Sequence, residues 1–276
     1  MKILVTGANG YMGTGIVRQL LDDGMTVIAA DLDTARVDAR AERINASIFE
    51  LEDPFSALQQ PDVLLHLAWR DGFRHNAESH INDFPLHYAF LKKMAQGGVK
   101  RIAVMGTMHE IGWYEGEISE NTPEHPLSLY GISKVALHRS LELIAKEHKV
   151  SLQWMRGFYI VGNARYGNSI FSKLIQAEEE GKNEFPFTMG TNKYDFLDYE
   201  EFCLQVAAVA EQDEVCGVIN CCSGVAVALR DRVNRFIQEN NLNIELKYGV
   251  FPERPYDSKE VWGDATKIRK IMGRRT

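Results

Sequence analysis

Cysteine is scarce in this sequence: Cys203, Cys216, Cys221 and Cys222 are the only four in 276 residues. Their spacing fits neither a zinc site nor a disulfide framework, so reduced thiols in a core are expected and no metal. Proline is scarce too, with eight residues, and no repeat, low-complexity tract or long linker divides the chain. Long basic runs are absent and the formal net charge is -7, which argues against nucleic acid or an anionic membrane as partner. No apolar stretch approaches the length of a membrane span, and a strand follows Met1 at once, leaving no room for a signal peptide. A cytoplasmic protein is expected. Its length suffices for a large core, as one α/β domain or a main domain with a small lobe.

What is present starts at the first residues. Lys2 to Thr6 is a short apolar run that reads as a buried strand, and Gly7, Gly10 and Gly13 follow at three-residue spacing. From Tyr11, the positions Met12, Ile16, Val17, Leu20 and Leu21 recur at helical spacing until Gly24. Strand, glycine turn and helix start make an anion site: free backbone N–H groups and the positive helix end face a phosphate, and glycine lets backbone approach it. A cofactor pyrophosphate is the expected guest, in a Thr-Gly-x-x-Gly-x-x-Gly pattern one residue wider than the usual dinucleotide fingerprint. Met25 to Ala30 reads as a second strand with Asp31 at its end. An acid there accepts hydrogen bonds from the ribose hydroxyls and repels a 2′-phosphate, which favours NAD. Arg36 is near enough to meet such a phosphate, so NADP stays open, and Asp31 could also serve as a helix N-cap.

The first half alternates strand and helix, which predicts a parallel sheet with right-handed crossovers. A polar helix is expected through Ala41, a third strand at Ala46 to Glu50, a fourth at Asp62 to Leu67, a helix over Ala77 to Gln96, a fifth strand at Arg101 to Met105, a helix from Tyr130 and a sixth strand at Ser151 to Gly157. Beyond these come a helix at Ile170 to Glu180, a Phe/Pro-rich strand, a helix at Leu229 to Glu239, a strand at Ile244 to Tyr248 and a short helix from Ala265. The expected architecture is a Rossmann-type doubly wound parallel sheet over residues 1–162, with 198–222 returning to it. Residues 163–197 and 223–276 would form a small C-terminal α/β substrate lobe above the carboxyl edge of the sheet, where such folds bind ligands.

Tyr130 and Lys134 lie four apart at the start of an amphipathic helix, which stacks them on one face. A phenol ordinarily loses its proton near pH 10, but a neighbouring ammonium favours the phenolate and suits it to acid/base work. Lysine can also hold a cofactor ribose. His66 ends a buried strand and reads as a satisfied core histidine, Trp69, Trp113 and Tyr114 as pocket floor or core edge, and Glu178 to Glu180 as a solvated helix end.

Together these residues resemble the extended short-chain dehydrogenase/reductases, in particular the NAD-dependent nucleotide-sugar epimerases, dehydratases and reductases. The resemblance runs nearly end to end, through Thr6-Gly7-x-x-Gly10-x-x-Gly13, Asp31, His66-Leu67-Ala68, Tyr130-x-x-x-Lys134, Arg156, Tyr194-Asp195-Phe196-Leu197-Asp198 and Arg254-Pro255-Tyr256-Asp257. It implies Thr107, Tyr130 and Lys134 as the catalytic set. It also implies a cofactor site of Gly7, Asn9, Gly10, Tyr11, Met12, Gly13, Asp31, Glu50, Leu51, Leu67 and Ala68, completed by Tyr130 and Lys134, with Asn82 as the helix asparagine that supports the centre. Implied too are hydride transfer at a sugar carbon and a homodimer formed by the helices at about Ala77 to Gln96 and Tyr130 to Glu147, both of which carry apolar stripes.

Departures from the family pattern narrow the reaction. Sugar dehydratases carry Asp-Glu directly after the catalytic Thr, where this sequence has Met108 and His109, so dehydration is not expected. His109 would line the pocket or move a proton. Tyr159 and Tyr194 stand where relatives have an asparagine and an arginine, leaving Arg254, with Lys193 or Arg165, as cations for a diphosphate. The expected activity is NAD(P)-dependent oxidation or reduction at C4 of a nucleotide-linked deoxysugar. The alternatives are a C4 epimerase, a dehydrogenase of a free sugar or sugar acid, and a non-catalytic NAD(P) sensor.

Overall fold

The computed structural model describes residues 1–162, 169–252 and 257–274. Its first half runs β1 (Lys2–Thr6), α1 (Tyr11–Asp22), β2 (Thr26–Asp31), β3 (Glu42–Asn45), α2 (Pro54–Ala57), β4 (Val63–His66), α3 (Ser79–Gly97), β5 (Arg101–Thr107), a 3-10 turn at Met108–Glu110, β6 (Gly116–Ile118), α4 (Leu129–His148) and β7 (Ser151–Gly157). The second half runs β8 (Tyr159–Val161), α5 (Ile170–Glu179), β9 (Glu184–Pro186), β10 (Lys193–Asp198), α6 (Tyr199–Glu211), β11 (Gly217–Cys221), β12 (Ala226–Ala228), α7 (Leu229–Glu239), β13 (Glu245–Lys247), β14 (Glu260–Gly263) and α8 (Thr266–Met272).

Seven parallel strands form the main sheet in the order β11-β7-β5-β4-β1-β2-β3. Side chains alternate between two cores, as a strand buried on both faces requires. Ile3, Val5, Val63, Leu65, Ala103 and Met105 pack with α1 and α6, whereas Leu4, Leu64, Ile102 and Val104 pack with Phe90 and Met94 of α3 and Leu137 and Leu141 of α4. Strand order reverses between β1 and β4. The carboxyl ends of those two strands therefore diverge and open a crevice at the topological switch point.

A smaller sheet, β12-β10-β14-β6 with β8 also paired to β10, is mixed in direction and lies with the β9–β13 ribbon. Helices α5 and α7 share a separate core there, with Phe171, Leu174, Val233 and Phe236. Two of its strands, β6 and β8, come from before residue 162. Asp195, fully buried, pins this sheet to the following turn by accepting from Ser223 N, Ser223 Oγ, Gly224 N and Gly263 N.

The structure departs from the expected elements most plainly after Asp31; in addition β6 and β8 join the small sheet, and α8, expected in the small lobe, packs through Ile268 and Ile271 on the core of the main sheet. No helix follows Asp31: residues 32–41 run as turns, with Thr34 and Val37 buried. The third strand is Glu42–Asn45 rather than 46–50. As the sheet edge it is mostly exposed and reads polar, while the apolar Ile48 and Phe49 beyond it enter the core from a turn. Cys203, Cys221 and Cys222 are buried free thiols, and burial pushes the thiol of Cys203 up to about 11.

Candidate active site

The crevice at the switch point is built for close backbone approach. Gly7 has φ +71°, and a Cβ there would lie 2.6 Å from Ala68 N, while a Cβ on Gly13 would lie 2.2 Å from Gly7 O. Only glycine fits either place. The cavity beside them, about 500 Å³, is lined by Gly7, Gly10, Asp31, Ser47, Phe49, Leu67, Ala68 and Trp69, among others. Asp31 is fixed across its mouth by accepting from Asn9 N at 2.9 Å and Leu32 N at 2.8 Å. Glycine turn, helix start and terminal carboxylate fit an adenine dinucleotide: the turn for the pyrophosphate, Asp31 for the ribose.

At the far end of this crevice Thr107, Tyr130 and Lys134 converge. Thr107 closes β5, and Ser128 caps α4 by accepting from Gly131 N at 3.2 Å, which puts Tyr130 in the first turn. The Thr107 side chain lies close enough to the Tyr130 phenol to favour its ionised form, against the stronger effect of burial. Lys134 is buried one turn on, donates to Met105 O at 2.7 Å and stands 3.8 Å over the Trp69 ring. Burial disfavours charge on both members of the pair, so Tyr130 is pushed up to about 12 and Lys134 down to about 7. Burial dominates at the phenol, and the neighbouring Lys134 does not offset it by itself.

Aromatic rings surround the phenol. His75, whose carbonyl accepts Tyr130 N–H at 2.9 Å, stacks on Tyr130 at 5.4 Å; His80 lies at 5.2 Å, Trp69 at 6.2 Å and His109 at 6.3 Å. Burial beside His75 holds His109 down to about 4, so its ring is neutral at pH 7. Below Trp69, a buried chain runs from Thr6 Oγ1 to His66 Nδ1 (2.7 Å) and from His66 Nε2 to His87 Nδ1 (2.9 Å). His66 is thus a satisfied core histidine.

The pattern of the NAD dependent epimerase/dehydratase family matches residues 3–222. The chain belongs to that family. Among curated members it is 43% identical over 269 residues, 95% of this chain and 99% of the relative, to dTDP-6-deoxy-L-talose 4-dehydrogenase (NAD(+)) of Aggregatibacter actinomycetemcomitans. Its fold matches UDP-glucose 4-epimerase from Thermotoga maritima with UDP-glucose at a TM-score of 0.83 and 22% identity, covering 98% of this chain and 92% of that one. It also matches UDP-glucuronic acid 4-epimerase from Bacillus cereus, with UDP-glucuronic acid and NAD, at a TM-score of 0.81 and 22% identity, covering 99% and 93%.

Several family-matched positions fall elsewhere than the resemblance implies. Glu50 is exposed and Leu51 packs against the core, and the cavity wall at that point is Ala46 to Phe49. Asn82 is exposed on α3, and His80 is the α3 side chain beside Tyr130. The Tyr11 ring lies tilted against that of Tyr199 at 4.5 Å, and Met12 packs against the main core. Lys193 turns outward to Glu260, its partner in register on β14, at 3.3 Å. The Tyr159 ring lies tilted against that of Tyr194 at 4.7 Å, and Tyr194 lines a second cavity of about 660 Å³ in the small lobe with Lys173, Phe185, Phe187, Asn192 and Asp257. Arg254 and Arg165 lie outside the described residues. His75, His80, His87 and Glu110 carry no motif and escaped the sequence reading; a count of histidines bracketing the fourth strand would have been the only signal. Glu110, Glu124 and His138 bring ligand atoms within 4.8 Å of one another. Arg156 already fills that group, with Nε on Glu110 and Nη2 on Glu124, so a guanidinium rather than a metal supplies the countercharge.

Proposed function

We propose that this protein is an NAD-dependent dehydrogenase acting at C4 of a nucleotide-linked 6-deoxysugar. The observation that carries this reading is the 43% identity, over nearly the whole of both chains, to a dTDP-6-deoxy-L-talose 4-dehydrogenase. Gly7, Gly10, Gly13 and Asp31 would hold NAD at one end of the crevice and Lys134 at the other. When bound, NAD supplies the acceptor for the hydride leaving the sugar carbon. Tyr130 takes the hydroxyl proton, and Thr107 Oγ1 hydrogen-bonds the same oxygen, steadying the charge that develops there. Lys134 stabilises the phenolate that this role demands. The position after Thr107 is Met108, then His109, so the acid pair a dehydratase would use is absent from the turn.

The lobe cavity, apolar and aromatic with Lys173 on its wall, would take the nucleotide part of the substrate. The cofactor half would be 1–162 with 198–222 and the substrate half 163–197 with 223–276, save that β6 and β8 belong to the small sheet and α8 packs on the main core. Exposed apolar residues on α3 and α4, including Ile81, Ile132 and Leu143, would pair two copies about a two-fold axis. No helix of the described residues is long and apolar enough to cross a membrane. A nucleotide-linked substrate and NAD both support a cytoplasmic location.

The deciding experiment incubates purified protein with NAD and dTDP-6-deoxy-L-talose and follows NADH. Stoichiometric NADH with release of a 4-keto sugar supports the assignment. Interconversion of C4 epimers with no free NADH, or no reaction with any nucleotide deoxysugar, overturns it.

A further inference from the structure

Behind Thr107 lies a charge that the mechanism above does not use. Glu110 is fully buried. Its Oε1 accepts Thr107 N–H at 2.7 Å, both its oxygens are 3.0 Å from Trp154 Nε1, and Oε2 accepts Arg156 Nε–H at 3.0 Å. Thr107 Oγ1 accepts His109 N–H at 3.3 Å, so Thr107 and Glu110 close a reciprocal capping box around one tight turn. Gly106 is what admits the carboxylate: a Cβ there would lie 2.6 Å from Glu110 Oε1 and 2.3 Å from Trp154 Nε1.

We propose that Glu110 is a positioning residue of this active site: its buried carboxylate, held by Trp154 and Arg156, fixes the turn that carries the Thr107 hydroxyl toward Tyr130. This rests on the dehydrogenase reading for its catalytic consequence. Charged and titratable groups facing Glu110 come from every side: Arg156 on β7, Glu124 before α4, His138 on α4, and Tyr130 and Lys134 on the same helix. His75, His80 and His109 face the phenol, and His66 and His87 lie near Lys134. Among the described residues, Glu110 is the one charge that favours the Lys134 ammonium against its burial. The same charge adds to the upward push on Tyr130. Removing the charge should therefore shift both groups in the same direction, a readout that a purely structural role does not move.

Three variants separate the two roles. Glu110→Asp keeps the charge and shortens the reach to Thr107 N. Glu110→Gln removes the charge but strands Arg156, so Glu110→Gln/Arg156→Gln is made beside it to delete the buried pair as a unit. NAD affinity is measured against pH by calorimetry, and kcat and KM for the nucleotide sugar are measured over the same range. In the unmodified protein NAD affinity should weaken as pH rises past about 7, where Lys134 loses its proton. In either charge-free variant that weakening should begin at lower pH, and both limbs of the kcat profile should move to lower pH together. Glu110→Asp should lower kcat by roughly tenfold or more with KM little changed, because a displaced hydroxyl costs orientation rather than binding, and its profile should keep its position. An unaltered kcat in Glu110→Asp overturns the proposal, and so do NAD-binding curves of the charge-free variants that superimpose on the unmodified protein's. If the unmodified protein oxidises no nucleotide sugar, the dehydrogenase reading fails separately, and the NAD-binding curves still decide the role of Glu110.

Discussion

Tyr130 is asked to lose a proton in a setting that resists it. Its phenol is pushed up to about 12 by burial, so the unaided chain keeps it protonated and the phenolate has to be formed against that burial as the substrate hydroxyl is oxidised. Tyr130→Phe retains the ring among His75, His80 and Trp69 but has no proton carrier. Turnover should fall by roughly a hundredfold or more with NAD affinity nearly unchanged, and near-normal turnover would remove the catalytic assignment. Asp31 works by charge at the other end of the crevice. Asp31→Asn should weaken NAD binding and narrow its preference over NADP, since the repulsion of a 2′-phosphate goes with the carboxylate while Arg36 stays hydrogen-bonded to Asn9; paired titrations with the two cofactors would show it. Both residues were legible in the sequence because each is read from local spacing: Asp31 from its place after the glycine turn, Tyr130 and Lys134 from a single helical turn. Glu110 and Lys193 were not. Glu110 matters through Trp154 and Arg156, more than forty residues away, and Lys193 faces Glu260 only because β10 and β14 pair in that register.

Elements reveal themselves when burial is uniform or follows a helical stripe, and hide when it does neither. The strand Arg101–Thr107, buried at every position and expected at Arg101 to Met105, and the amphipathic helix Leu229–Glu239 lie where the sequence places them. The edge strand Glu42–Asn45 has a polar, exposed sequence and was displaced onto the apolar turn after it. A second consequence belongs to the junction of β4 and α3, where His66 and His87 are buried against each other. Burial holds His87 down to about 3 and His66 well below its ordinary value of 6.5. Below about pH 6.5 the unfolded chain binds protons at these sites while the folded chain does not, so stability falls as pH drops. Thermal midpoints should decline steadily from about pH 6.5 toward pH 4, ahead of the carboxylate range. His87→Gln, which keeps a partner for His66, should flatten that slope; a slope unchanged by the variant would place the acid sensitivity elsewhere.

For the molecule as a whole, the outer faces of α3 and α4 leave Ile81, Ile132 and Leu143 exposed at 45%, 44% and 72%. Light scattering at micromolar concentration should give twice the chain mass, and Ile132→Glu with Leu143→Glu should return it to one, because two buried, unpaired carboxylates cost more than such a contact supplies. A single copy in the unmodified protein would remove the dimer. The strand Gly116–Ile118 bears on movement. The chain leaves the main sheet at Thr107, crosses to pair with Glu260–Gly263 in the small sheet, and only then returns to begin the helix of Tyr130. The two residues that would grip the reacting oxygen are therefore joined by a tether moored in the other layer. A displacement of the small sheet would therefore be carried along that tether to the gap between Thr107 and Tyr130, coupling the two layers through a single stretch of chain.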